Sequence, residues 1–238
     1  MKTPMTQTFS AKTIDNILVM DLDGMPTLID TGAMISLALQ SPVSFMGQKH
    51  CLADGRRIIG NLQSPSEAIR VAKALFGNPI LGNYDIAISL GKSEILFTDG
   101  YLELPETHTM PMSEGAFFKI PVIEMELNGR KLRAAFDTCS SISFARRRLI
   151  DGCDFVRQED GVFPDGEAAF DASIHSVPAR LNGQAVMLKC ASLDGSPFEE
   201  KVKSIGQVDM LLGADVLVHF DCVLSHRRGL IAFISAKC

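Results

Sequence analysis

Two similar stretches, each an apolar run that leads into Asp-Thr, constrain how this chain can fold. Residues 28–33 read Leu-Ile-Asp-Thr-Gly-Ala, and residues 135–140 read Ala-Phe-Asp-Thr-Cys-Ser. One Asp-Thr-Gly by itself is typical of a turn after a strand. Its recurrence predicts two related halves that bring Asp30 and Asp137 face to face.

Two further matches accompany the Asp-Thr stretches, in the same order in both halves. Met-Asp-Leu-Asp-Gly at 20–24 is similar to Met-Glu-Leu-Asn-Gly at 125–129, and both indicate a hairpin turn. Ile-Leu-Gly at 80–82 is similar to Leu-Leu-Gly at 211–213. Chance can supply one match, whereas three in order predict an internal duplication.

Composition excludes several classes of function. The formal net charge of −5 argues against a nucleic-acid partner, which requires a basic face. The six cysteines contain no Cys-x-x-Cys and no metal-ligand spacing, so we predict no metal site and no cofactor. Residues 1–10 lack an apolar targeting segment, and no apolar run has the length of a bilayer. We therefore expect a cytoplasmic protein with reduced thiols and no membrane partner.

Turn signals between apolar runs indicate a chain made mostly of strands. Asn-Gly and Asp-Gly pairs favour two-residue β-hairpins. One longer helix is predicted from Ser64 to Phe76, because Ser64 can cap it, Pro65 suits its first turn and apolar residues keep helical spacing. The predicted hairpin turns are at 23–24, 54–55, 128–129, 165–166 and 182–183.

A change of composition over residues 99–115 predicts where the two halves join. This stretch holds prolines, glycines and several acids, and its apolar residues show weak periodicity. We predict an N-terminal lobe over residues 1–104, a connection over 105–116 and a C-terminal lobe over 117–238, with one Asp-Thr motif in each lobe.

These residues resemble the aspartic peptidases of the pepsin and retropepsin superfamily. Each lobe of that family has a strand hairpin, then Asp-Thr/Ser-Gly, then two apolar residues and a Gly before a short helix, and this order covers nearly the whole chain. The resemblance implies an all-β, bilobal acid-protease-like fold of two duplicated retropepsin-like lobes. It implies an aspartic endopeptidase that acts on a peptide or protein substrate as a single chain, and we expect a monomer.

Two carboxylates a few ångströms apart explain why such a protein needs a pair of Asp residues. Both cannot ionise easily, so the pair shares one proton and titrates as a unit. The ionised carboxylate can take a proton from a water that attacks a peptide carbonyl, while the protonated one donates to the carbonyl oxygen. Asp30 and Asp137 are the predicted catalytic residues.

The resemblance also implies roles for the neighbouring residues. Thr31 and Thr138 are expected to lock the two loops together by hydrogen bonds. Gly32 allows a tight turn and offers its N–H to the preceding Asp, and Cys139 stands where the family has Gly. The Ser140 hydroxyl is placed to hydrogen-bond the outer oxygen of Asp137. A hairpin around residues 54–55 is the candidate flap of the first lobe.

Four alternatives remain open at this stage. Because Cys139 replaces a Gly, the chain could be a catalytically silent relative that binds peptides or partners in its cleft, or a duplicated β-protein without chemistry. Cys139 could itself be a nucleophile, but this needs a nearby base, and neither motif contains a His.

The fourth alternative is a phosphatase. Asp21 to Gly24 resembles the nucleophile motif of haloacid-dehalogenase-type phosphatases, but Met25 and Pro26 interrupt the motif before its Thr. The twin motif also replaces Asp21 with Glu126. A hairpin accounts for both copies, whereas a phosphatase accounts for one.

Overall fold

Strands dominate the structure, a computed structural model that describes residues 3–62, 64, 66–115, 119–162, 169–196 and 198–236. The prediction that the chain is mostly β-strand is confirmed, since the helices of the described residues are few and short. In the first half the strands are β1 (Thr6–Ile14), β2 (Ile17–Leu22), β3 (Met25–Ile29), β4 (Leu37–Ala38), β5 (Val43–Phe45), β6 (Gln48–His50), β7 (Ala53–Asp54), β8 (Ala74–Phe76), β9 (Asp85–Ser89) and β10 (Glu94–Thr98).

The second half continues this pattern with longer strands. Its strands are β11 (Thr109–Glu114), β12 (Pro121–Leu127), β13 (Arg130–Phe136), β14 (Ser143–Ala145), β15 (Asp154–Val162), β16 (Ala169–Leu181), β17 (Gln184–Ser192), β18 (Met210–Leu212), β19 (Phe220–Ser225) and β20 (Leu230–Ser235). The helices are α1 (Glu67–Val71), α2 (Asn78–Leu81), α3 (Arg147–Ile150) and α4 (Phe198–Ile205), with 3-10 turns at Glu106–His108, Ala214–Val218 and His226–Arg228.

Four strand pairings recur in the two halves. In the first half β2 and β3 form an antiparallel hairpin, β3 runs parallel to β8, β8 is antiparallel to β4, and β4 is parallel to β7. In the second half β12, β13, β18, β14 and β17 make the same four pairings in the same order. The second sheet also closes on itself, because β17 pairs with β16 and β16 pairs with β12.

A third sheet joins the halves. Its order is β1, β10, β9, β19, β20 and β11, and all neighbours are antiparallel. β1 serves two sheets, because residues 6–10 pair with β10 and residues 11–14 pair with β2. The largest hydrophobic cluster likewise contains side chains from both halves. Within the second half, the ring of Phe136 packs on that of Phe233 with centroids 5.7 Å apart.

Local sequence sets the hairpins as predicted. Asp23-Gly24 and Asn128-Gly129 both adopt positive φ at both positions, and they join β2 to β3 and β12 to β13. This backbone conformation suits the right-handed twist of the flanking strands, and it favours Asn or Asp followed by Gly. The turn at 182–183 between β16 and β17 is of the same kind, while the predicted turn at 165–166 lies outside the described residues.

The predicted helix from Ser64 to Phe76 is wrong over most of its length. α1 covers only Glu67–Val71, and its N-cap is Ser66 rather than Ser64. Residues 74–76 are strand β8, which pairs with β3 and β4 on its two edges. Helical spacing of apolar residues was misleading because a strand buried between two neighbours is apolar at every position, as the three buried residues of β8 are.

The predicted hairpin at 54–55 is also absent. Residues 53–54 form β7, which runs parallel to β4, and the chain then turns, with the N–H groups of Ile58 and Ile59 both donating to the carbonyl of Gly55. The candidate flap is therefore wrong at this position. The expected connection contains a strand too, because β11 at 109–114 pairs with β20 and β12.

Candidate active site

The two Asp-Thr loops interlock through their threonines. The hydroxyl of Thr31 donates to the carbonyl of Phe136 at 2.7 Å and accepts the N–H of Thr138 at 3.1 Å. The hydroxyl of Thr138 donates to the carbonyl of Ile29 and accepts the N–H of Thr31 at 3.1 Å. Both threonines are fully buried, so hydrogen bonds to water cannot replace these four bonds. The structure brings the two loops together as the sequence predicts.

Each Asp loop is held in the same way by the strand beside it. The N–H of Asp30 donates to the carbonyl of Phe76 at the end of β8, and the N–H of Asp137 donates to the carbonyl of Leu212 at the end of β18, both at 2.9 Å. One residue further, Gly77 and Gly213 each donate their N–H to a serine hydroxyl, Ser36 and Ser143, at 3.0 Å.

This geometry corrects one of the three sequence matches. Residues 75–77, Leu-Phe-Gly, occupy the place in the first half that Leu-Leu-Gly at 211–213 occupies in the second. Ile-Leu-Gly at 80–82 instead lies in α2 and the residue after it. The match by residue identity was wrong because the equivalent segment had been assigned to a helix.

The carboxyl groups of Asp30 and Asp137 come together between the loops and interact directly, with the Asp137 carboxyl group lying against Gly32. Within each motif, Oδ1 accepts an N–H from two residues on, Gly32 at 2.9 Å and Cys139 at 3.0 Å. Burial, and after it the negative charge of Asp137, raise the pKa of Asp30 to about 7. Asp30 therefore holds a proton well into the neutral range, as a paired carboxyl should.

Gly32 lies directly against the carboxyl group of Asp137. A Cβ at this position would be 2.3 Å from Oδ2 and 2.4 Å from Cγ of Asp137, far inside van der Waals contact. Because its φ is not positive, the position requires Gly for space rather than for its backbone conformation. Gly32 also lies in the expected tight turn, which the N–H of Ala33 closes by donating to the carbonyl of Asp30 at 3.2 Å.

Cys139 is accommodated without backbone strain, because its φ is also not positive. Its thiol donates to the carbonyl oxygen of Ile29, with Sγ 3.7 Å from that oxygen, and it interacts with the carboxyl group of Asp30. Burial and the carboxylates of Asp30 and Asp137 raise the pKa of this thiol well above its ordinary value. A protonated thiol is a poor nucleophile, so the geometry disfavours the cysteine alternative.

Ser140 does not take its expected place. Its hydroxyl donates to the carbonyl of Ile142 at 2.7 Å rather than to Asp137. The outer oxygen of Asp137, Oδ2, is instead bound by the ammonium group of Lys201 at 2.8 Å. Two backbone hydrogen bonds of Ser140 have counterparts in the first half. The N–H of Ser140 donates to the carbonyl of Asp137, and the carbonyl of Ser140 accepts the N–H of Ala214.

Lys201 is the residue of the site that sequence reasoning missed. It lies on α4, where Val202 and Ile205 enter the hydrophobic core of the second half. Burial alone would lower the pKa of its ammonium group, but the carboxylates of Asp137 and Asp30 outweigh this and raise it. No motif signals this contact in the sequence. Lys201 is an ordinary residue of an amphipathic helix, and this helix is distant in sequence from both Asp30 and Asp137.

Other predicted sites can be placed as well. Asp21 is exposed and its carboxylate accepts the N–H of Gly24 at 2.6 Å, which is a hairpin role and removes the basis for a phosphatase. Among the described residues, no group of three or more His, Cys, Asp or Glu side chains could hold a metal ion. No helix in the described part of the chain is long and apolar enough to cross a membrane.

Comparison with known proteins gives a likeness of fold. No protein-family profile matches the chain, and no curated protein matches it. Among solved structures, Basic 7S globulin from soybean is similar over 99% of this chain and 95% of its own, with a TM-score of 0.51 and 9% sequence identity. At this identity the likeness concerns the fold alone.

Two viral structures match over smaller parts. The simian foamy virus (mac) protease is similar over 40% of this chain and 90% of its own, with a TM-score of 0.30 and 18% identity. The foamy viral protease–reverse transcriptase in complex with an RNA/DNA hybrid is similar over 43% of this chain and 12% of its own, with a TM-score of 0.32 and 12% identity.

Proposed function

We propose that this protein is an aspartic-type endopeptidase, in which Asp30 and Asp137 activate a water to hydrolyse a peptide bond. The observation that carries the proposal is the pair of interacting carboxyl groups, held between two loops that the buried Thr31 and Thr138 lock together. A duplicated β-protein without chemistry has no need to bury two carboxyl groups against each other, because such a pair resists ionisation and costs stability.

The charges of the site assign a role to each carboxyl group. Asp137 forms an ion pair with Lys201 and carries the negative charge, so it is the general base that takes a proton from the water. Asp30, whose pKa is raised to about 7 by burial and by Asp137, donates its proton to the carbonyl oxygen of the scissile bond. The water oxygen then bonds to the carbonyl carbon. When the tetrahedral intermediate collapses, the C–N bond breaks, Asp137 gives its proton to the leaving nitrogen, and Asp30 takes a proton back from a hydroxyl group of the intermediate.

A two-lobed, duplicated architecture accompanies this function in our proposal. The four recurring strand pairings support two retropepsin-like lobes, over residues 1–104 and 117–238, joined at 105–116. The mirrored contacts at Gly77 and Gly213 support it at the level of single hydrogen bonds. Free thiols at the described cysteines support a cytoplasmic location, and the proposed partner is a peptide or protein substrate.

A catalytically silent cleft-binder is the second candidate, and a specific observation favours it. Lys201 occupies an oxygen of Asp137 that a catalytic water would use, and Cys139 fills space beside Asp30 that a Gly would leave open. A silent relative would bind peptides over the same loops without cleaving them.

Cleavage of a peptide library distinguishes the two candidates. Asp30→Asn and Asp137→Asn should each abolish turnover, because each removes a carboxyl group that the shared-proton mechanism needs while keeping side-chain size. Asp23→Asn is the matched control, since Asp23 is an exposed turn residue at positive φ, where Asn is well tolerated. A statine-type inhibitor should block the wild-type protein. Peptide binding without cleavage by the wild-type chain would establish the silent alternative.

A further inference from the structure

The ion pair between Lys201 and Asp137 places a cation over the proposed catalytic base. The ammonium group of Lys201 bonds Oδ2 of Asp137 at 2.8 Å, and the side chain of Asp137 is 3% exposed while that of Lys201 is 35% exposed. A water or a peptide that binds Oδ2 of Asp137 therefore competes with the ammonium group for this oxygen. Productive binding therefore requires Lys201 to leave Oδ2 of Asp137.

Helix α4 itself is firmly attached, so the movement belongs to the side chain. Val202 and Ile205 are buried in the core, and the ring of Phe198 packs on that of Phe144 with centroids 4.6 Å apart. Glu199 bonds the guanidinium group of Arg146 at 3.1 Å. The flexible four-carbon stem of a lysine can swing without the helix.

A displaced Lys201 finds no new partner on its own helix. The residues of α4 three and four positions away, which share its face, are Phe198, Ser204 and Ile205, and none is acidic. Lys203 shows the contrasting arrangement, because it is bonded by Glu200 at 2.7 Å and by Glu199 at 3.3 Å.

The two acids that precede Lys201 in the sequence, Glu199 and Glu200, are occupied as well. Glu199 is shared by Arg146 and Lys203, and Glu200 binds Lys203. Asp30 is the other acid of the site, and it is a neutral carboxylic acid in the step in which it donates its proton to the scissile carbonyl. Two thirds of the Lys201 side chain is covered by protein, and an ammonium group that loses its carboxylate there is left poorly solvated and unpaired.

We infer that Lys201 is a specificity-determining residue that selects peptides with an Asp or Glu side chain next to the scissile bond. Such a side chain takes over the ammonium group as Asp137 releases it, so one ion pair is exchanged for another and no charge is left unpaired. A neutral peptide breaks the pair without replacing it. This inference rests on the proposed function, because it describes how substrate enters that same site.

The test uses two peptides that differ only by Glu or Gln beside the scissile bond, and the full-length chain with Lys201→Met. Methionine keeps an unbranched stem and removes the charge. Lys203→Met is the matched control on the same helix, outside the site. The measured quantities are kcat/KM for each peptide and Kd for statine-type analogues of both.

In the wild type, the Glu peptide should have the higher kcat/KM by about tenfold to a hundredfold, the range of a charge-assisted hydrogen bond. Lys201→Met should bring the ratio to about one, chiefly by raising turnover of the Gln peptide. Lys203→Met should keep the wild-type ratio. An unchanged ratio in Lys201→Met, or slower cleavage of the Gln peptide by that variant, overturns the inference while hydrolysis itself stands.

Binding separates this inference from the proposed hydrolysis. If no variant cleaves either peptide, yet the two analogues show the same Glu preference in wild type and its loss in Lys201→Met, the role of Lys201 stands and the endopeptidase proposal fails. If neither analogue binds to any variant, the inference is overturned as well.

Discussion

The cross-loop hydrogen bonds of Thr31 should contribute a measurable share of the stability of this protein. Thr31→Val keeps the shape of the side chain and removes a hydroxyl group that makes two bonds, at 2.7 Å to the carbonyl of Phe136 and at 3.1 Å from the N–H of Thr138. Thr31 is fully buried, so no water can replace the hydroxyl. The carbonyl of Phe136 and the N–H of Thr138 each lose a partner.

The magnitude follows from these two bonds. An intramolecular hydrogen bond contributes about 1 kcal/mol net, and a buried polar group left without a partner costs about 1–3 kcal/mol. Relaxation of the loops recovers part of this, so we expect Thr31→Val to lower the free energy of unfolding by about 2–4 kcal/mol. That is a large fraction of the stability of an ordinary domain.

Urea denaturation monitored by far-UV circular dichroism measures this loss of stability. Tryptophan fluorescence is not an option, because the chain contains no Trp. With a slope of about 3 kcal/mol per molar urea, the midpoint should fall by about 1 M. Thr31→Ser is the control, because serine keeps the hydroxyl group and loses only a methyl group. The reasoning is refuted if Thr31→Val lies within about 0.5 kcal/mol of wild type, the range of a neutral surface change, or if Thr31→Ser costs as much.

Three further predictions concern the same loops. Gly32→Ala should lower kcat/KM by about a hundredfold or more, because its Cβ would displace the Asp137 carboxyl group. At the matching position in the other loop, Cys139→Gly and Cys139→Ser should keep or raise activity, and loss of activity in Cys139→Ser alone would contradict the aspartic mechanism. Folded Asp30 has a pKa of about 7 against 3.8 as the ordinary value, so between these pH values the folded state holds a proton that the unfolded state loses. The free energy of unfolding should therefore fall as pH rises through this window, and Asp30→Asn should show a shallower fall in urea titrations at each pH.

Local chemistry determined much of the strand architecture from the sequence alone. Asp23-Gly24 and Asn128-Gly129 specify hairpin turns, because their residue types tolerate positive φ at both positions. The paired Asp-Thr motifs predicted that Asp30 and Asp137 would meet, and the structure places their carboxyl groups in contact. These features depend on short segments whose preferences agree with the fold.

The tertiary structure decided the features that depend on distant partners. Residues 74–76 end a segment whose apolar residues have helical spacing. Only their position between β3 and β4 makes them a strand. Ser140 has the hydroxyl group that Asp137 could use, but its position turns that group to Ile142 instead. Lys201 then supplies the bond from a helix 64 residues along the chain. A side-chain contact across such a separation leaves no periodic pattern in the sequence, because it is fixed by how the core seats α4 rather than by local residue preferences.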